Sequence, residues 1–137
     1  MSYQDTLITV APDTTAETAS EPTTKRAKTP AHIFQHQLLI QDPYTLDHHE
    51  LTFEVYVRQK EIPSTELESD RDQLWEAFHS KGQPCMRASS LTKKFGWGAH
   101  YNSAGKIALI PMESAEYQNL LNDESVKKIP AMKSRRK

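Results

Sequence analysis

Cys85 is the only thiol in the sequence, and His100 follows it across a stretch rich in glycine, serine and lysine. A thiol becomes a nucleophile when a base or a positive field favours its anion, and Arg87, Lys93, Lys94 or His100 is placed to supply one. The spacing from Cys85 to His100 fits a loop folding back over a hairpin, with Cys85 as nucleophile and His100 as base. Two facts weigh against it. A lone cysteine is most often a small buried hydrophobe, and no third group is spaced to complete a triad. The phosphatase pattern, cysteine and then arginine six residues on, also fails, because that position is Leu91.

A second chemistry fits the same stretch better. No Asp or Glu occurs among the 36 residues between Glu76 and Glu113, where average composition would place about five. Lys81, Arg87, Lys93, Lys94 and Lys106 make the stretch locally positive. Ser89, Ser90 and Thr92 add hydroxyl donors, and the glycines permit close backbone approach. These are the components of an anion pocket. The expected roles are Arg87 on the charge, Lys93 and Lys94 steering, Ser89 and Ser90 donating hydrogen bonds, and Trp97 as a wall. Loop hydroxyls and lysines are equally the ordinary content of a solvated surface.

Other constellations carry less. His48-His49-Glu50 resembles a fragment of a metal site, but adjacent side chains diverge in helix and strand alike. No CxxC or HExxH spacing exists, so neither a metal nor a cofactor is expected. Gly96-Trp97-Gly98 lacks the third glycine of a dinucleotide fingerprint, and it reads as a bend with a core anchor. The terminal KSRRK and Lys25-Arg26-Ala27-Lys28 could serve a nucleic-acid-associated protein or a localisation signal, although short basic tails are commonly just solvated.

The elements that must position these residues follow from composition and pattern. The sequence has 137 residues and a formal charge of −1, which suits one domain and argues against coating nucleic acid by bulk charge. Hydrophobic residues make up 36%, below the usual share, so part of the chain is expected outside the core. The reading is a soluble, cytoplasmic chain (nuclear if eukaryotic), with no secretory signal and no apolar run that would cross a membrane.

Residues 1–12 read as an N-terminal strand, 13–28 as a mobile loop or linker, 29–126 as the core domain and 127–137 as a basic tail. Within the core, Thr29-Pro30 opens a helix to about Ile40. LTFEVYVR (Leu51–Arg58) alternates apolar and polar and predicts a strand. Thr65 with Glu68 predicts a capping box opening a helix to His79. Trp97–Tyr101 and Lys106–Ile110 predict a hairpin, and Ser114 caps a last helix. The fold class expected is α+β: an antiparallel sheet of three to four strands packed against two to three helices.

SYQDTLITVAPD, DPY, LTFEVYVR, SKGQPCMRAS, KKFGWGAHY, GKIAL and AMKSRRK together resemble an uncharacterised single-domain family, common in bacteria and present in fungi. The likeness covers almost the whole chain, and its most specific part is the block from KGQPC to GKIAL. It implies a cytosolic single-domain protein and brings no activity, cofactor or catalytic residue. In the family pattern a proline often stands where this chain has Ser90, which implies a less rigid loop after Arg87 here. The leading expectation is therefore a domain that binds a small anionic or phosphate-bearing ligand at residues 82–110. A thiol enzyme using Cys85 and His100 is the alternative, and a nucleic-acid role for the tail comes third.

Overall fold

Trp97–Tyr101 (β2) and Ile107–Pro111 (β3) form the expected antiparallel hairpin. Asn102 fastens its turn, its Oδ1 accepting from the backbone N–H groups of Ala104 and Lys106 at 3.0 and 2.9 Å. The computed structural model describes residues 3–24 and 27–133. Thr6–Thr9 (β1) adds antiparallel to β2, with Thr6 opposite Tyr101. Lys127–Pro130 (β4), expected as the start of a tail, instead pairs parallel with β1. The order is β3-β2-β1-β4, so the fold is α+β with a four-stranded mixed sheet rather than a purely antiparallel one.

Five α-helices surround the sheet among the described residues: Ala31–Gln41 (α1), His48–Gln59 (α2), Ser64–His79 (α3), Ser90–Lys93 (α4) and Ala115–Asn122 (α5). The expected strand over Leu51–Arg58 is therefore wrong, because those residues lie inside α2. Its N-terminus is set upstream by a capping box. Asp47 accepts from the Glu50 amide at 2.8 Å, and Glu50 returns the bond to the Asp47 amide at 2.9 Å. The alternation that suggests a strand arises because α2 is covered on two sides. Leu51 and Val55, one helical turn apart, enter the core beneath the sheet. Phe53 points elsewhere and packs among Trp75, Phe78 and His79 of α3, with ring centroids 5.0, 6.0 and 6.4 Å away. The capping box expected at Thr65 does not form either: α3 starts after Pro63 with no side-chain cap.

Both faces of the sheet are buried, which is why β3 reads as the unbroken apolar run Ile-Ala-Leu-Ile. Ile8, Ala99, Tyr101, Ile107 and Leu109 face one cluster with Leu39, Leu51, Met86 and Leu91. Leu7, Ala108 and Ile110 face the other, closed by Tyr117 of α5 and Val126. The start of β3 is also held by the chain before α2: Tyr44 donates to the Ile107 carbonyl and the Ile107 amide to Leu46, each at 2.9 Å.

Residues 13–24 form no helix or strand, yet they are fastened to the sheet. The Ser20 amide donates to the Phe95 carbonyl at 3.0 Å, and Trp97 Nε1 donates to the Ser20 carbonyl at 2.8 Å. Gly96 makes this approach possible. Its φ is +81°, and a Cβ there would stand 2.5 Å from the Thr18 carbonyl oxygen. Gly98 plays the same part on the other face, where a Cβ would stand 2.6 Å from the Tyr117 ring. Gly96→Ala is expected to cost about 2–3 kcal/mol of stability and to expose residues 13–24 to a non-specific protease. An unchanged melting midpoint with unchanged cleavage would rule out the close approach.

Candidate functional site

Within the acid-free stretch, residues 85–94 fold into a short, hydrogen-bonded succession of turns. Cys85 precedes a 3-10 turn over Met86–Ala88, whose Met86 side chain is buried. Ser89 then caps α4, its Oγ accepting from the Leu91 amide at 3.1 Å. Thr92, fully buried, donates to the Met86 carbonyl at 2.6 Å. Two of the hydroxyls expected to face a ligand, Ser89 and Thr92, thus hold the segment's own shape.

Opposite this segment lies the first turn of α1. Ala31, His32 and Gln35 on one side, with Pro84, Cys85, Ala88, Ser89 and Ser90 on the other, line a cleft of about 180 Å³. Ser89 Oγ joins the two walls at 2.6 Å from Gln35 Oε1. Since that hydroxyl already accepts from Leu91, it donates to Gln35, which leaves the Gln35 NH₂ as the donor end. α1 starts after Pro30 without a side-chain cap and with no acid in its first turn. Its positive dipole end therefore reaches the cleft without local neutralisation.

The structure gathers Cys85, Ser89 and Ser90 at this cleft but not the remaining expected site residues. Arg87 sits on the 3-10 turn and ties it to β4, donating from Nε to the Pro130 carbonyl at 2.8 Å. Lys93 and Lys94 end α4 away from the lining. Trp97 is a core anchor, bonded to Ser20 and edge-on to His36 at 5.3 Å. His100 is not near Cys85. It pairs in register with Leu7 and Ala108 on the α5 side of the sheet, whereas Tyr101, the next residue, faces the opposite cluster. Cys85 belongs to that opposite side: its Sγ is 3.7 Å from Tyr3 Oη, and the Tyr3 ring stands edge-on to Tyr101 at 5.2 Å. The sheet thus separates the thiol from the imidazole, and His100 Nδ1 meets Tyr44 Oη at 2.8 Å instead.

Two contributors to the cleft, His32 and Gln35, carry no signal in the sequence. Their helical spacing is compatible with facing any neighbour, and only the tertiary packing of α1 beside residues 84–90 selects them. The expected basic segments fall partly beyond view: Lys25, Arg26 and Ser134–Lys137 lie outside the described residues. Among the described residues no group of three or more His, Cys, Asp or Glu could hold a metal ion. Glu50, the carboxylate beside the paired histidines, is engaged in its capping box and with Lys106 Nζ at 2.9 Å. No helix among the described residues is long and apolar enough to cross a membrane.

The sequence matches the model of a family of unknown function (DUF6157) over residues 1–137, and the chain belongs to that family. No curated protein and no solved structure matches it.

The charge state of the imidazoles follows from burial. His48, almost fully buried at the start of α2, is held down to about 4 by desolvation, with His49 and His79 nearby adding repulsion. Burial also lowers His36, His79 and His100. An unfolded chain takes up these protons near the ordinary value of 6.5, so between there and about 4 the unfolded state binds more protons than the fold. Stability is therefore expected to be full above pH 6.5 and to fall as the pH drops toward 4, with His48 alone contributing on the order of 3 kcal/mol. Chemical denaturation across that range tests this. His48→Gln should flatten the slope, and a wild-type midpoint independent of pH would refute it.

Proposed function

We propose that this domain binds a small oxyanion, a carboxylate or phosphate group, in the cleft between the first turn of α1 and residues 84–90. One observation carries the reading: the polar lining offers hydrogen-bond donors and no carboxylate. Gln35 presents its NH₂ because Ser89 holds its oxygen, and Ser90 adds a hydroxyl. The α1 dipole favours negative charge at the same place. The absence of acids from residues 77–112 removes a source of repulsion. Arg87, Lys93 and Lys94 act at a distance in this arrangement, raising the local potential rather than gripping the ligand. Trp97 has no part in it.

The volume limits the ligand. At about 180 Å³ the cleft is smaller than the 300–1,000 Å³ typical of drug-sized sites and amounts to roughly six water volumes. It suits the anionic end of a molecule, with the remainder in solvent.

Titration with inorganic phosphate and with acetate, followed by amide chemical shifts and melting temperature, tests the reading. One of the two probes should saturate and perturb Gln35 and Ser90. Gln35→Leu and Ser90→Ala should each weaken binding about tenfold, the worth of a hydrogen bond to a charged group. Lys94→Ala should change it less than about twofold at physiological salt. No response to either probe, or equal binding by both cleft variants, would sink the proposal.

A further inference from the structure

We infer that this chain binds a nucleotide in a second cavity, between the residues that precede α1 and the end of α2. The inference does not rest on oxyanion binding at residues 84–90, and the two sites share no lining residue. The second cavity holds about 650 Å³, inside the roughly 300–1,000 Å³ usual for small-molecule sites and more than three times the volume of the cleft. Lys28 and Thr29 belong to one wall, residues 58–61 form the other, and Phe34 of α1 adds an aromatic ring. Gln59 Nε2 donates to the Thr29 carbonyl at 3.4 Å and ties the two walls together.

The charge of this cavity comes from residues far apart in sequence. Lys28 closes the run Lys25-Arg26-Ala27-Lys28, and the fold brings it to the same cavity as Arg58 and Lys60. Both ion pairs among the described residues lie elsewhere, Glu54 with Arg71 and Glu50 with Lys106. The residues outside the description include no Asp or Glu. No acidic side chain is therefore paired with Lys28, Arg58 or Lys60, and these three cations share the lining with one carboxylate, Glu61. That excess suits a ligand carrying more than one negative charge.

Glu61 narrows the class of ligand. The chain leaves α2 in a Schellman arrangement: the Ile62 amide donates to the Val57 carbonyl at 3.1 Å and the Glu61 amide to the Arg58 carbonyl at 3.3 Å. These bonds occupy carbonyls that would otherwise turn the negative end of the α2 dipole toward the ligand. Glycine is the usual residue at the left-handed position of such a turn, yet here a glutamate holds it at φ +50°. Strain of this kind points to a side chain kept for what it binds. A carboxylate among cations repels phosphate, and what it offers instead is an acceptor for hydroxyl groups, the part an acidic residue plays on a ribose. Phosphates on Lys28, Arg58 and Lys60, sugar hydroxyls on Glu61 and a base against the half-buried Phe34 use each feature of the lining. The volume, roughly twenty water volumes, admits one nucleotide rather than a strand.

The full-length chain is titrated with ATP, with inorganic triphosphate and with a single-stranded oligonucleotide, and binding is followed by calorimetry and amide chemical shifts. ATP is expected to saturate, to move Phe34 and residues 58–61, and to bind about tenfold more tightly than inorganic triphosphate. Arg58→Ala, at an exposed position, should weaken both about tenfold. Glu61→Gly separates a nucleotide site from a generic basic patch. It relieves the strained φ, so the melting temperature should hold or rise, while ATP binding weakens about fivefold and inorganic triphosphate binding does not weaken. No saturation by ATP overturns the inference, as does equal affinity for ATP and inorganic triphosphate. Tighter ATP binding in Glu61→Gly, or binding of the oligonucleotide alone, overturns it too. Shifts confined to Gln35 and Ser90 would place ATP in the smaller cleft, which refutes this site and leaves the oxyanion reading standing.

Discussion

The structure depends on the insertion of β1 between two partners. Thr6, Leu7 and Ile8 pair with β2 on one side and with β4 on the other, and all three are buried. Leu7 enters one hydrophobic cluster and Ile8 the other, so a single short strand joins both faces of the sheet. Neither partner is local in sequence. The hairpin of β2 and β3 has the contacts to form early, but the sheet closes only when distant segments meet, an ordering set by loop-closure entropy. Losing β1 would strip β4 of its hydrogen bonds and open both clusters together.

Local patterns were legible where local interactions decide the outcome. The hairpin, α5 with its Ser114 cap and the α3 helix follow from turn residues, capping and helical spacing. Leu51–Arg58 was not legible, because its period-two pattern comes from helix positions buried against two different partners. Leu51 and Val55 face the sheet side, while Phe53 faces α3. The capping box at Asp47 and Glu50 was present in the sequence and, given weight, would have argued for the helix. β4 was hidden for the opposite reason. Lys127 and Lys128 look like a solvated tail, and only pairing with β1 makes the segment a strand.

The candidate site divides in the same way. The acid-free stretch contains one wall of the cleft, at Cys85, Ser89 and Ser90, and composition is a property of the chain. The other wall, His32 and Gln35, is a property of packing. The charge pattern also proves less specific than its length suggests. Much of the stretch is buried strand and turn, where a carboxylate would be costly. Its cations have structural partners too, Lys106 with Glu50 and Arg87 with the Pro130 carbonyl. The feature on which the proposed binding rests is narrower: a cleft whose walls are pinned by the Ser89–Gln35 bond.

The way Tyr44 and Leu46 grip Ile107 bears on how the molecule behaves in a crowd. A four-stranded open sheet has two bare margins, each a template onto which another chain could add. On the β3 side, part of the margin is occupied by the protein's own backbone at residues 44–46. On the β4 side, two lysines precede Ile129, and Pro130 withholds an amide altogether. One margin is covered at its start and the other made inhospitable by charge and by a missing donor. The sheet is thereby guarded against stacking edge to edge into fibrils, even though its central strands are apolar enough to do so.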